Sequence, residues 1–211
     1  LSGLDLQVNG NIADIAGVGG IDLRVAAKGD PVGLRALLPA LPAGELSLSA
    51  RIRGDAGALR VDDVAIRQGS SELAGHLEIT VDGPRPKIRA TLTSQRLTLP
   101  VVAGAEAAGG DAGDPARAPL FPDEPFEFDW LRAVDAELSL RVARAILGPY
   151  DLREFTLQAA LQAGVLDVDR FGAVMAGSPI EASLTVNAGG EVPDARLRLD
   201  SPVLDLGALL S

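Results

Sequence analysis

The chain has 211 residues, 47% of them hydrophobic but only 3% aromatic, with no cysteine and a formal charge of −10. That charge argues against docking on nucleic-acid phosphates or, by charge, on anionic lipid headgroups. The missing cysteine excludes disulfides, thiolate metal sites and a Cys nucleophile, and a single histidine, His76, excludes a multi-His zinc site within one chain.

No run of 18 or more uncharged apolar residues is present, so no helical membrane span is expected. No signal-peptide pattern is visible either. The chain begins at Leu1 rather than Met, as a processed or excised piece would.

Residues 1–44 read as leading strands and a short helix. Gly17-Val18-Gly19-Gly20 is a hairpin turn by composition; no helix follows it as a cofactor loop requires. Asp30-Pro31 and then Val32 to Leu38, with Leu34, Leu37 and Leu38 on one face, predict a capped helix. From Glu45 the period becomes two. In Glu45 to Arg53, Leu46, Leu48, Ala50 and Ile52 oppose Ser47, Ser49, Arg51 and Arg53, the pattern of a strand with one apolar face. Leu73 to Val81 repeats it, with Leu77 and Ile79 inward, as does Lys87 to Thr93, with Ile88 and Leu92 inward. Residues 104–119 are Ala, Gly, Asp and Pro, the composition of a disordered loop. Asp129 to Val134 predicts a second short helix. Alternation then returns in Ala136 to Val142, Glu154 to Leu161, Ile180 to Val186 and Ala195 to Leu199. The breaks are short turns such as Asp55-Ala56-Gly57, Asp82-Gly83-Pro84 and Gly189-Gly190, which predict an antiparallel meander.

The second half falls on the first, without a gap, at a displacement that brings Gly57 onto Gly164. Leu59 then meets Leu166, Asp62 meets Asp169, Ser71 meets Ser178, Gly83 meets Gly190, Pro86 meets Pro193 and Arg89 meets Arg196. Matched turn residues are the mark of a supersecondary unit used twice. The division expected is 1–44 leading strands and helix, 45–103 first β-repeat, 104–119 loop, and 120–211 short helix and second β-repeat.

Several residues invite sharper chemistry. Ser70 or Ser71, His76 and Asp62 would make a triad on paper, but no nucleophile elbow accompanies them, and an exposed strand histidine explains His76. Asp62-Asp63 and Asp167/Asp169 stand in corresponding places at strand ends. A glycosidase needs two carboxylates across a cleft; strand-end Asp also serves turn backbone. Asp111, Asp114, Asp123 and Glu124 lack calcium-loop spacing and read as a solvated acidic stretch. Trp130 is a plug at the end of the sheet or a lid over its apolar face.

One family fits these patterns. Leu120-Phe121-Pro122-Asp123-Glu124-Pro125, followed by Trp130-Leu131-Arg132-Ala133-Val134-Asp135-Ala136-Glu137-Leu138, resembles a segment of bacterial AsmA-like proteins. Tyr150-Asp151-Leu152-Arg153-Glu154-Phe155-Thr156-Leu157 and Ala163-Gly164-Val165-Leu166-Asp167-Val168 continue the likeness, and Ser70 to Leu99 has the family's matching form. The resemblance extends from about Glu45 to Leu210. AsmA-like proteins are similar to TamB and to the eukaryotic bridge-like lipid transporters. The resemblance implies a long bent β-sheet with an apolar lining, anchored in the inner membrane of a Gram-negative bacterium and crossing the periplasm. It also implies that acyl chains of phospholipid, or of another lipid, lie in that lining.

The expected fold is therefore mainly β: an elongated, curved, groove-like antiparallel sheet built from a repeated meander, with one or two short helices. The expected function is non-enzymatic, with no cofactor, metal or nucleic acid: lipid binding along an apolar groove, in the service of inter-membrane phospholipid transport and outer-membrane biogenesis. Localisation follows the family, periplasmic and anchored through a segment outside this chain. The groove candidates are Leu46, Leu48, Ile52, Leu77, Ile79, Ile88, Leu92, Leu138, Leu140, Leu157, Leu161, Leu184, Val186, Leu197 and Leu199. A closed β-sandwich core would give the same alternation. The alternative function is a module that assists outer-membrane protein assembly by offering strand edges to envelope proteins.

Overall fold

A computed structural model describes residues 4–30, 44–81, 83–99, 129–147, 150–189 and 194–201. The alternating segments form eleven strands: β1 (Leu4–Asp14), β2 (Gly19–Gly29), β3 (Leu46–Gly54), β4 (Ala58–Gln68), β5 (Ser71–Thr80), β6 (Lys87–Leu99), β7 (Asp135–Leu147), β8 (Tyr150–Gln162), β9 (Val165–Met175), β10 (Ser178–Asn187) and β11 (Asp194–Asp200). They lie side by side in chain order in one sheet, so each hydrogen-bonds its neighbours in sequence. The sheet is open and curled, and β1 and β11 are its edges. Among the described residues one element lies outside it, the short helix α1 (Asp129–Ala133). The helix expected from Asp30 to Leu38, the loop at 104–119 and the acidic residues Asp111 to Glu124 fall outside the described residues.

Every neighbouring pair is antiparallel except β6 and β7, which run parallel from Lys87↔Asp135 to Leu99↔Leu147. This departs from a purely antiparallel meander. A tight turn reverses the chain, whereas a parallel neighbour needs a connection long enough to return to the starting end. Residues 100–134 supply that length, and they include the Ala/Gly/Pro/Asp stretch and α1.

The repeat is visible in the strands themselves. Displaced by 107 residues, β4 (Ala58–Gln68) becomes β9 (Val165–Met175) and β5 (Ser71–Thr80) becomes β10 (Ser178–Asn187). The Val81 N–H donates to Gly57 O at 2.8 Å, and the equivalent Ala188 N–H donates to Gly164 O at 2.9 Å. Both units carry the same β-bulge. On β4 the pairing with β5 steps from Val61 to Val64; on β9 the pairing with β10 steps from Val168 to Phe171. The extra residue restores apolar parity after two consecutive polar ones, Asp62-Asp63 in one unit and Asp169-Arg170 in the other.

A second irregularity crosses three strands. Apolar parity steps by three between Ser94 and Leu97 on β6, between Val142 and Ala145 on β7, and between Leu152 and Phe155 on β8. Glu154 takes the strain with a φ of 52°. The described core gathers at this line: Val142, Ala145, Leu152, Phe155 and Ala173 are buried together, and the Phe155 and Phe171 rings meet edge to face at 5.3 Å. A smaller cluster forms where α1 lies on the sheet, with Leu131 packed on Leu161 and Ala188.

Turn chemistry explains the hairpins. Asp55 Oδ1 accepts the Gly57 and Ala58 N–H groups at 2.9 and 3.0 Å, closing the β3–β4 turn. Just before it, Gly54 has φ 137°, and a Cβ there would strike the Ala58 carbonyl oxygen. Gly54→Val should therefore lower stability by about 1–3 kcal/mol, read as a lower urea midpoint at unchanged slope. An unshifted midpoint would remove this close approach as a determinant of the turn.

Candidate functional site

Directly paired residues in a sheet share a face, so the ladder registers show what each face carries. One rung runs Ile12–Ile21–Gly54–Leu59–Ile79–Ile88–Ala136–Leu161–Leu166–Val186–Ala195. The next runs Gly10–Leu23–Ile52–Val61–Leu77–Ala90–Leu138–Ala159–Val168–Leu184–Leu197. Each crosses all eleven strands and holds only aliphatic side chains and glycine. A third, Val64–Gly75–Leu92–Leu140–Leu157–Phe171–Ala182–Leu199, continues them from the β4 bulge to the far edge. Val8, Val25 and Ala50 extend it on the other side of that bulge.

All fifteen groove candidates fall on this face. Thirteen lie in the central region and are buried or half-buried. Leu197 and Leu199 lie on edge strand β11 and are 71% and 62% exposed. At the opposite edge Leu6 and Val8 of β1 are 60% and 51% exposed. The apolar strip thus runs out to solvent at both ends. Ten strand spacings of about 4.8 Å make it roughly 48 Å long across the strands. Sequence reasoning missed the contributions of β1, β2, β4 and β9, which supply Ile12, Leu23, Leu59, Val61, Leu166 and Val168.

The plug at the end of the sheet is Leu131, which is fully buried against Leu161 and Ala188. Trp130 lies on the same helix, but its side chain is outside the described residues. The Arg132 Nε–H donates to Ala188 O at 2.7 Å and fastens α1 to the β10 end.

The opposite face is charged and laced by ion pairs between strands. Arg51 forks onto Asp22, Nε donating at 2.8 Å and Nη2 at 2.5 Å. Arg53 reaches Asp62 at 2.6 Å, Arg60 reaches Glu78 at 2.6 Å, and Arg144 forks onto Asp151 at 2.9 and 2.7 Å. At the parallel seam Arg89 on β6 holds Glu137 on β7 through donors at 2.8 and 3.2 Å. These hydrogen bonds hold the Asp22, Glu137 and Asp151 carboxyls below their ordinary range.

The paper triad does not assemble. His76 faces the β4 bulge, where Asp62 is engaged by Arg53. Ser71 is five residues further back along β5, about 17 Å away, with its Oγ accepting the Thr98 N–H at 2.9 Å. Ser70 lies beyond it and shares a 3.5 Å hydroxyl contact with Thr98. Asp62-Asp63 and Asp167/Asp169 are not at strand ends as expected but inside β4 and β9, at or beside the bulges. The residues that look like breaks in an alternating pattern are its bulges. Asp167 accepts a hydrogen bond from Thr185 Oγ1 at 2.8 Å. Among the described residues no three His, Asp or Glu side chains converge on a common point.

Set beside known protein families, curated proteins and solved structures, the chain matches none of them.

The polar face sets the pH response. A carboxylate whose pKa is lowered by folding contributes stability above its unfolded pKa and loses it as pH falls through the folded value. With Asp22, Glu137 and Asp151 all lowered, the urea midpoint should be flat near neutrality and decline on acidification below the carboxylate range. The triple variant Asp22→Asn, Glu137→Gln, Asp151→Asn should show a shallower decline. An equally steep decline in that variant would place the acid sensitivity elsewhere.

Proposed function

We propose that this chain is a section of an AsmA-like periplasmic protein and that it holds lipid acyl chains against its apolar face. The observation that carries the reading is the pair of unbroken aliphatic rungs spanning eleven strands. A folded sheet normally covers such a face with a second layer. Here the described residues set only the five-residue helix α1 against the sheet, at one end.

The chemistry of the strip suits hydrocarbon. Acyl chains offer dispersion and hydrophobic burial, about 0.8 kcal/mol per buried CH₂, and need no positioned polar partner. Successive rungs stand about 7 Å apart along a strand, and the two unbroken ones run side by side across all eleven strands. That is the shape of an extended chain lying across strands. Catalysis is not part of this reading, because the strip contains no acid, base or nucleophile. A phospholipid is the favoured ligand. Inter-membrane lipid transport, outer-membrane biogenesis and inner-membrane anchoring follow from the resemblance to the family.

Native mass spectrometry of the purified chain, followed by lipid extraction, tests the reading. Phospholipid should co-purify at defined stoichiometry. Leu77→Asp and Leu184→Asp, in the middle rung, should each reduce bound lipid at least tenfold. Gln158→Asp on the charged face should leave it unchanged. Lipid at wild-type level in a folded Leu77→Asp protein, or a lipid-free wild type, would overturn the assignment.

A further inference from the structure

We infer that the β1–β2 hairpin tip, residues 15–18, dips Ile15 and Val18 into the surface of a zwitterionic phospholipid bilayer. This goes beyond the acyl-chain reading of the sheet face and does not rest on it.

The β1–β2 ladder ends at Asp14↔Gly19, so residues 15–18 stand beyond the end of the sheet rather than along its edge. A strand laid beside β1 would pair Leu4–Asp14 and leave the tip projecting. From Ile15 to Ile21 the chain carries no charge. All four tip residues are exposed, Ile15 to 83% and Val18 to 46%. The other described tight turns hold small or polar residues: Asp55-Ala56-Gly57, Gly69-Ser70, Ala163-Gly164 and Ala176-Gly177. Val18 also bears backbone strain. Its φ is 49°, in the left-handed region that glycine enters freely and a β-branched residue avoids. Among the described residues it is the only β-branched one at positive φ. A glycine at position 18 would make the same turn without strain. Strain of this kind points to a function at the residue that bears it. Here it holds an isopropyl group outward at the tip.

The tip is also prepared to leave water. Asp14 Oδ1 accepts the Ala16 and Gly17 N–H groups at 3.0 and 2.9 Å. The nearest carboxylate is thus folded back under the turn, and two of the turn's backbone donors are paired. Backbone donors that enter a bilayer need such internal partners. Two aliphatic side chains are too few for a stable protein contact, which buries about 800 Å² on each partner. They suit shallow, reversible insertion at the boundary between headgroups and acyl chains. A zwitterionic surface fits, because the tip offers no cation and the chain as a whole carries −10.

The test uses the whole 211-residue chain and phosphatidylcholine vesicles. The chain has no cysteine, so a polarity-sensitive fluorophore on an introduced thiol reports one position at a time. Emission from labelled Ile15→Cys and Val18→Cys should move to shorter wavelength when vesicles are added. Labelled Gln158→Cys, on the charged face, should not respond. In flotation with the vesicles, Ile15→Asp should lower bound protein about tenfold. Leu197→Asp, at the far edge of the apolar strip, should leave it unchanged. Val18→Gly separates strain from contact: it should raise the urea midpoint and still lower vesicle binding. An equal response at all three labels, or a loss with Leu197→Asp that matches Ile15→Asp, would move the contact off the tip and overturn the inference. A midpoint that does not rise in Val18→Gly, or binding that does not fall, would overturn the role of Val18. No response at either tip label would overturn the bilayer as the partner and leave the two side chains to a protein surface.

Discussion

The apolar face exists only because ten ladders hold their register together. Side chains in a strand alternate with period two, so a slip of one residue in any ladder would turn every later rung inside out. Eleven strands in chain order multiply that risk, since each strand inherits its alignment from the one before. The bulges on β4 and β9 solve a local form of this problem. Asp62-Asp63 and Asp169-Arg170 would each throw the rest of their strand onto the wrong face. The three-residue step puts Val64 and Phe171 back on the apolar side. That the same step recurs one repeat later ties the two units to one structural solution.

With the register fixed, the two faces take up different work. The charged face joins neighbouring strands by arginine forks, and its exposed pairs are each worth little in water. Their larger value is in alignment. Like charges face one another directly at Arg24↔Arg51, Arg53↔Arg60 and Arg144↔Arg153, and carboxylates close by relieve each pair: Asp22 at Arg51, Asp62 at Arg53 and Asp151 at Arg144. The forks Arg51–Asp22 and Arg144–Asp151 each join neighbouring strands and so depend on their register. The apolar face contributes the burial, concentrated where Phe155, Phe171 and their neighbours pack along the kinked line through β6, β7 and β8.

The sequence made the regular parts of this fold legible and hid the irregular ones for a single reason. Glu45 to Arg53 and Ile180 to Val186 alternate cleanly and form strands at those places. Lys87 to Thr93, Ala136 to Val142 and Glu154 to Leu161 mark β6, β7 and β8 but fall short of their full lengths, since the parity step at Gln95, Ala143 and Glu154 ends the pattern before the strand ends. β4 and β9 are obscured by their own bulges for the same reason. The parallel seam is a different case. Alternation says which face a residue occupies and nothing about strand direction, so only the length of the connection between Leu99 and Asp135 carried a hint. The groove candidates were legible because Leu, Ile and Val on one parity must share a face once neighbours align. The plug was assigned to Trp130 on size, whereas Leu131 is the residue seated on Leu161 and Ala188.

Residue size varies along the rungs. Within a strand, small residues mark points where another backbone approaches closely. The rungs provide them: Gly54 and Ala136 in the first, Gly10, Ala90 and Ala159 in the second, Gly75 and Ala182 in the third. A Cβ at Gly10 would meet the Asp22 carbonyl oxygen and one at Gly75 the Thr91 carbonyl oxygen, so neighbouring backbone leaves no room for a side chain at either position. Large side chains such as Leu77, Leu138 and Leu184 lie between these points and are half-buried. Small residues spaced between half-buried leucines thus set how closely neighbouring strands approach along the apolar rungs.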